Sequence, residues 1–213
     1  MIGLTSMNYL KIRDWVFLEP VTVGLRNGGQ ALEEYLLLVH RDADLSELTE
    51  LEDKNLLVGL GINHKTALMW LDVLLMQQGL PVAQNMFQTT KKVFKPAQAV
   101  FPVFFRQSDA CIVTRRAFET MVELNPQIGE QLKPLASSPS FLPDLMCYRQ
   151  KYDEAAKDLI LSSALKLHTK IEGRQMLGLF RVDKIGRFKP SYLDNLIQLI
   201  ATYDELSAAV EEE

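Results

Sequence analysis

The residues best suited to chemistry form a short polar turn after an apolar run, Asn63-His64-Lys65-Thr66. A helix that begins at such a turn leaves its first backbone N–H groups unpaired and carries a partial positive charge at its start. Together with the Lys65 ammonium and the Thr66 hydroxyl, these donors are suited to bind an anion. The turn therefore predicts an oxyanion site. The alternative is that Asn63 only caps the helix and that His64 is exposed.

Other positions repeat the pattern of an apolar strand followed by hydroxyl side chains. Thr5 and Ser6 follow one such strand, Thr89 follows another, and Thr114 with Arg115 ends a third. Ligands of open α/β sheets lie at the carboxyl ends of strands, so these side chains are predicted to contact the anion. Arg115 is suited to a bidentate pair with a carboxylate or phosphate. The alternative is that the hydroxyls only cap helices and that Arg115 is a solvated first-turn residue.

Residues typical of catalysis are scattered. His40, His64 and His168 fall on different predicted elements, with no cysteine or carboxylate at metal-ligand spacing, so no metal site and no cofactor is expected. The sequence contains no nucleophile elbow, P-loop or complete dinucleotide-binding pattern. Cys111 and Cys147 fall in two predicted buried strands and are expected to be unpaired core residues, with a single disulfide as the alternative. Neither has an adjacent predicted base, which argues against a nucleophilic role.

Composition limits the class of protein. The chain has 213 residues, 47% of them hydrophobic, which is enough for one or two cores. Its net charge of −4 argues against a nucleic-acid surface, and Lys91-Lys92 and Arg115-Arg116 are interpreted as solvated faces. No apolar run reaches the roughly 18 residues of a membrane span, and the start of the chain lacks the pattern of an export signal. A soluble globular protein is predicted.

The elements that position these residues are predicted from apolar spacing and turn signals. From residue 56 onward strands alternate with helices, which predicts a mostly parallel sheet because parallel neighbours need helical crossovers. The segment 137–143, rich in Ser and Pro, is predicted to be a return hinge. A helix is expected after Thr5-Ser6, and further helices near 153–170, 173–180 and 191–210. Strands are expected at 18–25, 32–40, 56–60, 83–88, 110–113 and 145–149.

Several segments follow one another as motifs in a fixed order. Residues 104–119 form a strand-to-helix step of the type G-x-x-D-A-x-x-x, although Gln107-Ser108 replaces the usual glycine and acidic residue. The other motifs are a strand, the helix after it and two closing segments, at 46–59, 67–79, 175–180 and 188–192. In order and spacing, nearly the whole chain resembles the phosphate/phosphonate-binding subfamily of the two-lobed solute-binding proteins that serve ABC transporters.

This resemblance implies an α/β fold of the two-lobed, type II periplasmic-binding-protein class, with mostly parallel sheets flanked by helices. It assigns residues 1–47 to a remnant of lobe 1 and the crossover strands, 48–138 to lobe 2, and 139–213 to the return to lobe 1 with C-terminal helices. Relatives normally begin with a βαβα unit after a secretory signal, whereas this chain opens with what resembles a later step of that lobe. The first lobe is therefore expected to be incomplete and the chain amino-terminally shortened.

The resemblance further implies an extracytoplasmic module that binds a small phosphate- or phosphonate-like anion and delivers it to the permease of an ABC transporter. Such a module is not an enzyme, binds no nucleic acid and does not insert into the membrane. Hinge closure would hold the solute between the lobes, with Thr114 at that cleft. The family has small hydroxyl and glycine residues where this chain has Asn63, His64, Lys65 and Thr66, so this turn departs from the phosphonate-binding pattern of the family. The alternatives are the sensor domain of a signalling receptor, such as a histidine kinase, and a pyrimidine-metabolism enzyme on the same fold.

Overall fold

The structure is a computed structural model that describes residues 1–26, 28–60, 63–149, 151 and 153–211. The chain divides into two compact units. Unit 1 comprises Met1–Leu32 and Phe141–Leu196, and unit 2 comprises Glu33–Ser140 and Ile197–Glu213.

The strands, in chain order, are β1 (Ile2–Thr5), β2 (Leu18–Leu25), β3 (Tyr35–His40), β4 (Asn55–Val58), β5 (Thr89–Lys92), β6 (Ala110–Thr114), β7 (Leu132–Ser137), β8 (Asp144–Arg149) and β9 (Lys184–Arg187). The helices are α1 (Ser6–Val16), α2 (His64–Met76), α3 (Ala83–Met86), α4 (Pro96–Phe104), α5 (Arg115–Leu124), α6 (Pro126–Gln131), α7 (Glu154–Leu165), α8 (Ile171–Leu179) and α9 (Asp194–Glu211). Short 3₁₀ turns cover Arg41–Ala43, Leu48–Leu51, Leu167–Thr169 and Pro190–Leu193.

Unit 1 is built on an antiparallel sheet with the strand order β1-β8-β2-β9. Helix α1 begins where the Thr5 side chain accepts a hydrogen bond from the Asn8 N–H, and it ends at Phe17 in the left-handed conformation. Lys157 of α7 pairs with Glu19 of β2 at 3.0 Å, which ties that helix to the sheet. The core includes Tyr9, Val23, Ala31, Leu142, Leu145, Cys147 and Leu193.

Unit 2 is built on a mixed sheet with the strand order β5-β4-β6-β3-β7. Strand β4 runs parallel to β5 and β6, whereas β3 runs antiparallel to β6 and β7. Every residue of β3 is buried, which agrees with its apolar run from Tyr35 to Val39. The core includes Leu36, Leu38, Ala99, Val100, Val103, Cys111, Val113, Ile128 and Leu132.

The α/β class is confirmed, but the prediction of mostly parallel sheets is wrong. Among the residues that the structure describes, all strand pairings in unit 1 are antiparallel, and unit 2 combines two parallel with two antiparallel pairings. Helical crossovers join β4 to β5 and β5 to β6, and these three strands run parallel to one another. Strand β3, which follows the entry of the chain into unit 2 after Leu32, runs antiparallel to both of its neighbours, β6 and β7.

The buried strand predicted at 110–113 is confirmed as β6, whereas the strand predicted at 83–88 is wrong. That segment contains α3, and the backbone N–H of Ala83 donates to Asp72 Oδ1 at 2.7 Å. The strand comes later, at β5. The chain first passes from unit 1 to unit 2 after Leu32, and β3 pairs within unit 2. The assignment of residues 1–47, 48–138 and 139–213 to the two lobes stays a prediction. The return to unit 1 falls after Ser140, inside the segment predicted as a hinge.

Candidate functional site

The polar turn with the strongest chemical signal lies between β4 and α2. Gly61 and Ile62 of that turn lie outside the described residues. The Gly59 N–H donates to the Ile112 carbonyl at 2.8 Å, which continues the ladder between β4 and β6. A side chain at Gly59 would place its Cβ 2.8 Å from Ala99 Cβ. A glycine is therefore required here by the close approach of α4.

Helix α2 starts without a side-chain cap from Asn63, whose backbone has φ −90° and ψ 7°. The alternative in which Asn63 only caps the helix is therefore wrong. His64 is half-buried and Lys65 is exposed. By helix geometry, the N–H groups of the first turn have no acceptor within the helix. These groups, with the Lys65 ammonium, are the donors predicted to bind an anion.

Thr66 is buried and contacts β3 rather than solvent. Its side chain is hydrogen-bonded to that of Tyr35, a residue that is only 1% exposed. Burial raises the pKa of the Tyr35 phenol, the charge of Glu33 raises it further, and the hydrogen bond with Thr66 opposes the rise. Tyr35 is thus held as a neutral phenol beside the first turn of α2.

The second candidate anion site in unit 2 is the start of α5. Thr114 Oγ1 accepts a hydrogen bond from the Ala117 N–H at 3.2 Å, so this hydroxyl caps the helix. The Arg115 guanidinium is paired with Glu34, with Nε 2.7 Å from Oε2 and Nη2 2.8 Å from Oε1. Arg116 pairs with Glu33 at 2.8 Å. The bidentate partner expected for Arg115 is therefore a carboxylate of the protein itself.

These helix starts lie at the same edge of the sheet. In the parallel pair of β4 and β6, Val58 is opposite Ile112, so both strands end together. In the antiparallel pair of β3 and β6, Tyr35 is opposite Thr114, which places the beginning of β3 at that edge as well. The edge gathers the starts of α2 and α5 with Glu34 and Tyr35. Neither Glu34 nor Tyr35 was predicted from the sequence to belong to the site. The pattern that could have revealed them is the acidic pair Glu33-Glu34 before a buried strand, which is complementary in charge to Arg115-Arg116.

Thr89 lies at the opposite edge of the sheet, which makes its assignment as a residue after a strand wrong. It is the first residue of β5 and is opposite Asn55, the first residue of the parallel strand β4. Its hydroxyl donates to Asn55 Oδ1 at 2.7 Å. Asn55 is held in turn by Asp109, which accepts the Asn55 backbone N–H at 2.8 Å. Thr89 therefore belongs to a polar network at the amino ends of these strands.

Unit 1 carries its own predicted contacts at the start of α1. Thr5 Oγ1 accepts from the Asn8 N–H at 3.2 Å, so Thr5 is a helix cap. Ser6 is 1% exposed, and its backbone N–H donates to the Pro143 carbonyl at 3.2 Å. Its Oγ is buried and has no hydrogen-bond partner among the described residues. A buried hydroxyl without a partner is unfavourable, so a ligand that accepts a hydrogen bond from Ser6 would stabilise this position.

The cysteines are poorly suited to nucleophilic chemistry. Cys111 and Cys147 are both buried and unpaired, as expected. Burial raises the pKa of Cys147 to about 11 and that of Cys111 as well, so the reactive thiolate is disfavoured.

Within the described ranges no three His, Cys, Asp or Glu residues are grouped to hold a metal ion. In the same part of the chain no helix is both long and apolar enough to cross a membrane.

Two α/β units joined by crossover segments, with helix starts at strand ends, define the type II periplasmic-binding-protein fold. A family model described as "ABC transporter, phosphonate, periplasmic substrate-binding protein" matches residues 1–194. The chain therefore belongs to this family of periplasmic substrate-binding proteins. A comparison with curated protein sequences finds no match.

Solved structures similar to this chain share its fold at low identity. A binding protein component of an ABC phosphonate transporter from Pseudomonas aeruginosa has a TM-score of 0.70 and 17% identity, over 97% of this chain and 69% of that protein. PhnD1 from Prochlorococcus marinus, in complex with methylphosphonate, has a TM-score of 0.67 and 13% identity, over 95% and 77%. A Xanthomonas citri protein bound to ATP has a TM-score of 0.67 and 14% identity, over 90% and 72%.

Proposed function

We propose that the chain binds a small oxyanion of the phosphate or phosphonate type at the starts of α2 and α5 in unit 2. Membership of the substrate-binding family supports a solute-binding role. The observation that carries the site is the meeting of two helix starts at one sheet edge, where β4 and β6 end together. Backbone N–H groups at the start of α2 and the positive ends of both helices then favour an anion at that edge.

The chemistry of the proposed site relies on backbone donors more than on arginine. Glu34 and Glu33 already pair with Arg115 and Arg116, so those guanidinium groups carry little uncompensated charge. Lys65 is the exposed cation on the first turn of α2, and His64 lies beside it. A small oxyanion, with several acceptor oxygens, matches a site of this kind better than a neutral solute does.

Ser6 is the contact we propose for unit 1. Its buried, unpartnered hydroxyl lies at the first residue of α1, where the helix again leaves N–H groups without internal acceptors. An oxyanion accepting a hydrogen bond from Ser6 would satisfy that hydroxyl. We propose a role in binding rather than in catalysis, because residues 1–194 match a family of substrate-binding proteins.

The proposed partner is the membrane permease of an ABC transporter, and the proposed location is the periplasm. Both follow from the family to which residues 1–194 belong. Solute binding would stabilise the form of the protein that the permease recognises, since a ligand shifts a conformational equilibrium by its difference in affinity.

The experiment that tests this function is thermal unfolding of the chain with methylphosphonate, phosphate, sulfate or acetate, and with glycerol as a neutral control. A ligand that binds only the folded protein stabilises it by about 2.7 kcal/mol at a hundredfold excess over its dissociation constant. We expect methylphosphonate or phosphate to raise the unfolding temperature and glycerol to leave it unchanged. Stabilisation by none of these anions would contradict the proposal.

A further inference from the structure

Two of the three segments that join unit 2 to unit 1 lie side by side within unit 2. The chain crosses between the units after Leu32, after Ser140 and, within α9, after Leu196. Just inside unit 2, the Tyr35 N–H donates to Ser138 Oγ at 2.8 Å, and the Ser138 N–H donates to the Tyr35 carbonyl at 2.9 Å. The first and second crossover segments, residues 33–36 and 136–138, are therefore bonded to each other.

Glu34 ties these crossover segments to the start of α5. Its carboxylate holds the Arg115 guanidinium through two hydrogen bonds of 2.7 and 2.8 Å, and its carbonyl accepts the Arg115 backbone N–H at 2.8 Å. The same guanidinium reaches Ser137 Oγ of the second crossover segment at 3.4 Å. Arg115 thus contacts both segments from the first residue of the helix.

Tyr35 ties the first crossover segment to the start of α2. Its side chain is hydrogen-bonded to that of Thr66, and both residues are buried. Two consecutive residues, Glu34 and Tyr35, are therefore bonded to the first turns of two different helices. Those two turns are the ones that contain the proposed oxyanion contacts.

We propose that Glu34 and Tyr35 are positioning residues that couple solute binding at α2 and α5 to the crossover segments of unit 2. This inference rests on the proposed function, because it assumes that an oxyanion contacts these helix starts. The solute fixes the two first turns, and the bonds through Glu34 and Tyr35 then restrict the crossover segments. Fully hydrogen-bonded polar networks with buried members are suited to this, since they permit few arrangements.

Hydrogen–deuterium exchange, with and without methylphosphonate, measures this coupling. In the wild-type chain we expect saturating methylphosphonate to slow exchange at residues 33–36 and 136–138. Glu34→Gln keeps the shape of the side chain and removes its charge, and Tyr35→Phe keeps the ring and removes the hydroxyl. Each variant should lose that solute-dependent slowing and bind about three- to tenfold more weakly, the effect of one lost hydrogen bond.

The matched control is Asp42→Asn, which removes the charge from another Arg–carboxylate pair of unit 2, the one with Arg106. It should leave both affinity and solute-dependent exchange at the wild-type level. A purely structural role predicts something different: unchanged solute-dependent slowing at 136–138 in Glu34→Gln and Tyr35→Phe, even where the variants are less stable. That result, or wild-type affinity in both variants, would overturn the inference.

Exchange in the absence of solute separates this inference from the proposed function. Without any anion, Glu34→Gln should speed exchange at residues 117–119 and 136–138 about three- to tenfold, because Arg115, which begins α5 and reaches Ser137, loses its charged partner. Unchanged exchange there would overturn the coupling whatever the solute. A wild-type chain that binds neither methylphosphonate, phosphate nor sulfate would instead overturn the proposed function.

Discussion

Glu34 and Arg115 form a bidentate ion pair across 81 residues of sequence, with nitrogen–oxygen distances of 2.7 and 2.8 Å. The hydrogen bonds from Arg115 lower the pKa of the Glu34 carboxyl below its ordinary value, and burial only partly opposes the effect. The same bonds raise the pKa of Arg115. The Arg115 guanidinium, which was predicted to contact a ligand, therefore stabilises the start of α5 instead.

Glu34→Gln should reduce stability in a pH-dependent manner. Because the folded protein lowers the pKa of Glu34, the pair contributes stability above the ordinary carboxyl value of 4.5 and loses it as the pH falls through the lowered folded value. At neutral pH we expect a loss of about 1 kcal/mol in the free energy of unfolding, since both side chains are partly exposed. Urea unfolding of wild type and variant should converge in acid. A difference that stays constant across this range would contradict the pairing.

Ser6→Ala should weaken solute binding without lowering the stability of the fold. Removing a buried hydroxyl that has no partner is expected to leave the free energy of unfolding unchanged or to raise it by up to about 1 kcal/mol. Affinity for methylphosphonate should nevertheless fall about three- to tenfold, if Ser6 donates to the solute. Chemical denaturation and calorimetry of the same sample measure the two quantities.

Thr5→Ala is the matched comparison for Ser6, because it removes a helix cap at the neighbouring residue. Its expected effect is a loss of about 1 kcal/mol in the free energy of unfolding. If Ser6→Ala destabilised the protein as much as Thr5→Ala and left affinity unchanged, Ser6 would be structural.

Gly59→Ala should destabilise unit 2 through a steric clash. The new Cβ would lie 2.8 Å from Ala99 Cβ and 3.1 Å from Val113 Cγ1, both in the core beside β4. Overpacking of this kind costs about 1–3 kcal/mol. Gly178→Ala is the control, because a Cβ there meets nothing within 4 Å in α8. It should raise stability by about 0.5–1 kcal/mol. Equal effects of the two substitutions in thermal unfolding would refute the packing argument.

Central strands of this protein were predictable from sequence, whereas several edge strands were not. Strands β3 and β6 have unbroken apolar sequences because both of their faces are buried. Strands β5, β7 and β9, in contrast, were missed, and each lies at an edge of its sheet. Edge strands carry polar and charged residues, as Thr-Thr-Lys-Lys in β5 does, and such sequences lack the apolar signal.

The candidate site was predictable only in part for a similar reason. The starts of α1, α2 and α5 follow from local signals, such as a hydroxyl after an apolar run. The partners of Arg115 and Thr66 depend on how β3 pairs with β6, and local sequence does not contain that information. Thr89 was misplaced because its hydroxyl was assigned to the end of a strand that it begins.

Calorimetric titration of the wild-type chain and of Lys65→Gln with methylphosphonate tests the central claim most directly. We expect saturable binding to the wild type and an affinity about tenfold lower for Lys65→Gln, which removes a charge at the start of α2. Lys11→Gln, which removes an exposed charge in α1, should bind as the wild type does. No binding to the wild type, or equal affinity in Lys65→Gln, would contradict an oxyanion site at this helix start.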